Sequence, residues 1–255
     1  QQIVLQERAR GYNEPNGRDW DALSRLMFPV GHPYHVPVIG TVADIEGVSL
    51  ETVKAFFNRH YRPQGAVLGL VGHFDTDKAL ERLKFWFQDV PGTPREKPRL
   101  TKFEGPREGN RGWMQDPLVE DTNLYVGWRT VPKGHPDEIP LEVAAWVLSG
   151  GRGTRLDDKV YYKSNLAVDD GVYAWSSELD GVFLVYATVD GTPLDKMEKI
   201  ILKELIKLVK KPPTEAELHR AKRSIRNSVM RKLELPDDRV SHIHLILGSD
   251  WAASN

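Results

Sequence analysis

The chain has 255 residues, enough for one large domain or two of ordinary size, and its 40% hydrophobic and 28% charged residues exclude disordered and collagen-like classes. A formal net charge of −1 and a pI near 6.8 give no electrostatic pull toward nucleic acid or anionic lipid. Cysteine is absent, which removes thiol catalysis, thiolate zinc sites and disulfides together, and no apolar run is long enough to span a membrane.

Residues 3–10 and 19–28 predict helices, separated by the turn-rich "NEPNGR". "FPVGHPYHVPVIGT", with three prolines and two glycines, predicts an irregular loop. "SLETVKAFFNRHY" predicts a helix capped by Ser49 with Glu51 in its first turn. "AVLGLVGHF" is a continuous apolar run of strand length and predicts a buried strand. Asp75 then caps "DKALERLKFWFQDV", a helix stopped by Pro91-Gly92. Residues 91–112 are rich in proline, glycine and charge without periodicity, so a linker is placed at 96–106, between a region 1–95 and a region 107–255.

In the second region "LYVGWRT" predicts a strand and "LEVAAWVLS" a helix, and "GGRGTRLDDKVYYKS" a glycine turn feeding another helix. "GVYAWSS" and "GVFLVYATVD" predict neighbouring antiparallel strands joined by "ELDG". An amphipathic helix starts at Pro193, with Leu194, Met197, Ile201, Leu205 and Leu208 on one face. Thr214 and Glu217 form a capping box for a helix running to about Leu235. "VGHFDTDKALERL" is weakly echoed by "YATVDGTPLDKMEKI", which suggests two halves built alike, and the mixture of elements favours an α+β architecture.

Histidine is the usual metal ligand and general base. His32 and His35 in "GHPYH" sit on a proline loop without the helical geometry that would aim both rings at one ion, so a structural role is expected. His242 and His244, two apart on an expected helix, point away from each other, and His60, His73, His135 and His219 stand alone. Neither H-E-x-x-H nor H-x-x-E-H occurs. "SGGRGTRL" lacks the Lys-Ser/Thr ending of a phosphate-cradling loop and follows a helix, so a tight turn is expected. "LHRAKRSIRNSVMRK" is basic but has no aromatic residue for base stacking, and reads as a solvated helix face. The residues alone describe a two-lobed α+β protein without a self-sufficient active site.

Seven stretches together nevertheless resemble the pitrilysin and mitochondrial processing peptidase family. They are "VLQERAR", "GHPYHVPVIGT", "VKAFFNRHYRP", "LGLVGHFD", "LSGGRGTRL", "NLAVDDGVYAWSSELDGVFLVYATV" and "PTEAELHRAKRS", in the family's order from Ile3 to about Arg239. The resemblance implies two related domains, each a mainly antiparallel sheet flanked by helices, forming one half of a clamshell with the first domain incomplete. It implies a zinc-dependent metalloendopeptidase that cleaves peptides or unfolded segments by metal-activated water, the ion held by two histidines and the glutamate of a following helix.

"QQIVLQER" falls on the pattern around that distal glutamate and places Glu7 at the ligand position. The chain is then expected to start inside the second metal-bearing helix, a fragment without the histidines or catalytic glutamate, inactive alone and holding no zinc by itself. Tyr162 and Val168 stand where many members carry an Arg and a Tyr that grip the substrate, so a second family half, separate or fused, is expected to supply that pair. A non-catalytic partner subunit of the same family is the alternative. The compartment stays open, a bacterial periplasmic or secreted setting being favoured over the cytoplasm.

Overall fold

A computed structural model describes residues 1–61, 66–90 and 109–241. Eight helices are described: α1 Gln2–Tyr12, α2 Asp19–Met27, α3 Val42–Gly47, α4 Leu50–His60, α5 Thr76–Phe87, α6 Glu138–Leu148, α7 Leu194–Lys210 and α8 Glu215–Lys232. A 3₁₀ turn spans Pro33–His35 and a π-helical turn Asp158–Tyr162. The strands are β1 Thr122–Thr130, β2 Asp169–Ser176 and β3 Gly181–Val189. The chain divides into two compact units, Gln1–Glu46 with Leu100–Ile225, and Gly47–Arg99 with Arg226–Asn255. The expected linker 96–106 and the pair His242 and His244 lie outside the described residues.

The first unit is α+β, built on an antiparallel sheet of order β1-β3-β2. The run "VFLVYATV" explains why β3 takes the centre: apolar on both faces, it is buried along nearly its whole length. Register assigns the faces. Val126, Val185 and Val172 lie abreast and face α6 and α7, where Ala145, Leu148, Met197 and Ile201 close the core. Leu184 and Val182 face the other way, against Leu23 and Phe28. Each fully buried Val, Leu, Ile or Met among them contributes about 1.5–3 kcal/mol. On that second face Gly171 is required by close approach, because a Cβ there would stand 2.4 Å from the Tyr186 ring. The space lets Tyr186 stack on Tyr173, centroids 5.9 Å apart and planes 2° from parallel.

Helix starts follow local chemistry. Thr214 and Glu217 make the expected capping box of α8, Glu217 N–H donating to Thr214 Oγ1 at 3.3 Å and Thr214 N–H to Glu217 Oε2 at 2.8 Å. A similar reciprocal pair, Thr41 and Asp44, starts the short α3, which lies just past the loop expected from the prolines. Among the described residues no helix is long and apolar enough to cross a membrane.

In the second unit Ser49 caps α4 through Thr52 N–H at 3.1 Å, and Asp75 caps α5 through the N–H groups of Asp77 and Lys78. The buried strand expected at 66–74 is not formed. Coverage alternates residue by residue along 66–71, yet Leu68 and Leu70 are 60% and 50% exposed. A strand needs a neighbour's N–H and C=O groups, and among the described residues no strand pairs with this segment. None of the described residues of this unit is buried, and Phe56, Phe57, Phe85, Trp86 and Phe87 are all more than half exposed. Amides of α4 and α5 should therefore exchange with solvent at least about tenfold faster than those of β3, measured by native-state hydrogen exchange. Equal protection would show that the two units share one stability.

Candidate functional site

Glu7 lies on the exposed side of α1, and among the described residues its carboxylate makes no hydrogen bond or ion pair. The adjacent arginine does not neutralise it. Arg8 Nε donates to Gly40 C=O at 3.2 Å, and its guanidinium lies 3.9 Å from the centre of the Tyr12 ring. An acid left unneutralised on a helix surface is free to meet a cation.

After α6 the chain turns through Gly150, Gly151 and Gly153, with φ of 137°, 119° and 92°, a backbone region that glycine enters without a Cβ clash. The N–H groups of Gly150 and Gly151 donate to Asp157 Oδ2 at 3.0 and 2.7 Å, and that of Gly153 to Asp158 Oδ1 at 2.7 Å. The amides that a phosphate would need are already taken by this chain's own carboxylates, so "SGGRGTRL" is a turn. Its exit is fixed by Arg155, whose Nε and Nη2 donate to the two Glu217 oxygens at 2.7 and 2.9 Å. That fork holds the Glu217 carboxyl down at about 2.

Tyr162 ends the π-helical turn, exposed, with its ring edge-on to Tyr161 at 5.0 Å and the Arg152 guanidinium 5.0 Å from its centre. Val168 is exposed, and its N–H donates to Thr188 C=O at 2.9 Å, continuing the β2–β3 ladder. Neither position carries a guanidinium, and neither pairs with Glu7.

The loop "FPVGHPYH" holds an arrangement that spacing could not reveal. His32, 2% exposed, approaches Asp180 Oδ2 with Nε2 at 2.9 Å, while its Nδ1 accepts from Tyr34 N–H at 3.0 Å. Accepting at Nδ1 fixes the proton on Nε2, so the ring is neutral and donates to the carboxylate. Arg129 Nη2 donates to the same oxygen at 2.6 Å. Burial and Arg129 lower the pKa of His32 against the opposing pull of Asp180, burial being the largest cause. His35 Nδ1 donates to Phe28 C=O at 2.7 Å. Asp180 lies in the β2–β3 turn, 148 residues from His32, and no local pattern joins them. The only signal in the sequence is a histidine ringed by prolines.

These residues do not fit a zinc site by themselves. A three-ligand ion needs imidazole or carboxylate donors converging at about 2 Å. Glu7 stands alone, His32 and His35 are engaged in the loop, and among the described residues no group of three His, Asp or Glu could hold a metal.

The family model for the peptidase M16 inactive domain matches residues 47–225. "Zinc protease PqqE" of Helicobacter pylori is 27% identical over 246 residues, covering 93% of this chain and 54% of its own length. An "Uncharacterized zinc protease" of Rickettsia felis is 23% identical over 253 residues, 99% of this chain and 59% of that protein. The crystal structure of a protease from Helicobacter pylori superposes with a TM-score of 0.83 at 25% identity, covering 98% of this chain and 61% of that one. The chain thus spans little more than half the length of the relatives it matches. With a family model covering most of its residues and the same fold in a solved neighbour, the chain belongs to the M16 peptidase family.

Proposed function

We propose that the chain is part of a zinc-dependent peptidase acting on extended peptides or unfolded segments, that Glu7 gives one carboxylate to its metal, and that the other ligands come from residues outside this chain. The observation that carries the reading is Glu7 itself, an exposed carboxylate with no partner among the described residues, on a helix aligned to relatives named zinc proteases. The uncovered apolar faces of α4 and α5 support a larger parent, since a folded domain buries such aromatics. A second family half, fused or separate, supplies the substrate-gripping Arg and Tyr for which Tyr162 and Val168 are no substitute. An Arg fork would donate to substrate carbonyls, and a Tyr hydroxyl would meet charge developing on the scissile carbonyl.

A second reading, a non-catalytic family subunit, is favoured by one observation: the matching model is that of an inactive domain, and its span begins after Glu7. Zinc content and peptidase assays on the 255-residue chain and on the complete protein separate the two. The expected result is no hydrolysis by the chain alone, and chelator-sensitive hydrolysis of unstructured peptides by the complete protein with its second half. A complete protein without zinc or peptidase activity would establish the subunit reading. Full activity without the second half would remove the proposed division of labour.

A further inference from the structure

Asp157 and Asp170 stand apart from everything proposed for Glu7. Asp157, 6% exposed, precedes the π-helical turn, and Asp170 is the second residue of β2. Asp157 Oδ2 is saturated by the N–H groups of Gly150 and Gly151, while Asp157 Oδ1 and Asp170 Oδ2 are both buried with no donor. Asp157 is the side chain that bears on Asp170 through both its charge and a hydrogen bond. Two buried acceptors facing each other are satisfied by one proton, and two bare carboxylates there would repel in a medium that screens poorly.

We propose that Asp157 and Asp170 share one proton and form a pH-sensitive latch that ties the Gly150–Gly151 turn to the start of β2 and opens in alkaline solution. The linkage is mechanical. Asp157 holds the glycine turn through one oxygen and β2 through the other, so repulsion at the second contact pulls on the first. Burial chiefly, then the charge and hydrogen bond of Asp157 and the charge of Asp169, push the Asp170 carboxyl up to about 8.

Several charged side chains nearby are engaged elsewhere. Asp169 accepts from Tyr186 O–H at 2.8 Å, Asp158 pairs with Lys163, and on α7 Glu204 pairs with Lys207 at 2.7 Å. Glu138 and Glu142 of α6 line a small cavity with Trp175 and Ser176, at the opposite end of β2. Arg220 of α8 stands by Gly153, with its Nε and Nη2 buried and without a hydrogen-bond partner among the described residues, and it is not among the charges that act on Asp170. No cation is among the charges that act on Asp170.

The folded state keeps a proton that the unfolded chain, near 3.8, has released, so this group's stabilising contribution is largest in acid and declines as pH rises to about 8. The experiment follows amide exchange at Gly150 and Gly151 by NMR, as protection factors from pH 6 to pH 10, in the native 255-residue chain and in Asp170→Asn. An Asn amide donates to Asp157 at every pH. Protection in the native chain should fall at least about tenfold across pH 8, while Asp170→Asn should stay protected with a flat profile. Flat protection in the native chain overturns the latch without reference to any variant. A titration in which calcium or magnesium protects both amides in the native chain but not in Asp157→Asn would also overturn it, assigning the pair to a cation.

Discussion

If Glu7 is the ligand proposed, Glu7→Gln in the complete protein should lower zinc content and cut peptide turnover by about 100-fold or more, because a neutral amide would replace a carboxylate ligand. Folding should change by about 0.5 kcal/mol or less, since the side chain is exposed and no described residue relies on it. Glu14→Gln, an exposed acid just past the end of α1, serves as the control and should change neither quantity. Metal analysis and kcat/KM measured on the same preparations decide the matter. Wild-type zinc and turnover in Glu7→Gln would remove Glu7 from the ligand set.

Asp180→Ala carries the largest expected effect on stability, about 3 kcal/mol. One carboxylate receives both His32 and Arg129, and the three side chains join the proline loop to β1 and to the β2–β3 turn. Asp180→Asn keeps an acceptor oxygen and should cost less than half as much. Urea unfolding at constant slope would measure both, and a loss below about 1 kcal/mol for the alanine variant would show that the clamp is incidental. The same clamp weakens in acid. The folded pKa of His32 lies below 6.5, so from that pH downward the unfolded ring takes up a proton that the buried ring refuses, and stability falls with pH.

Features closed within a few residues are legible in the sequence. Ser49, Asp75 and the Thr214–Glu217 box each cap a helix through groups two or three positions away, and the β2–β3 pair is joined by one short turn. Residues 66–74 mislead for the opposite reason: their apolar content signals burial, but pairing depends on a neighbour from elsewhere in the chain. His32 with Asp180, and Asp157 with Asp170, are hidden likewise, because each contact is made by packing rather than by spacing. Glu7 is reached through resemblance, since an acid followed by arginines on a short helix has no chemistry of its own to read.

The order β1-β3-β2 also fixes a timetable. Thr130, the end of β1, pairs with Gly181, the first residue of β3, so β1 leaves the ribosome long before its neighbour exists. At an elongation rate of about 5–20 residues per second, that wait lasts several seconds. The hairpin of β2 and β3, with four residues between its strands, can zip within microseconds of emerging, and β1 must then find its free edge. Until it does, "LYVGW" is an apolar segment with both edges bare, and the nascent chain is most open to chaperone capture or to self-association in that interval.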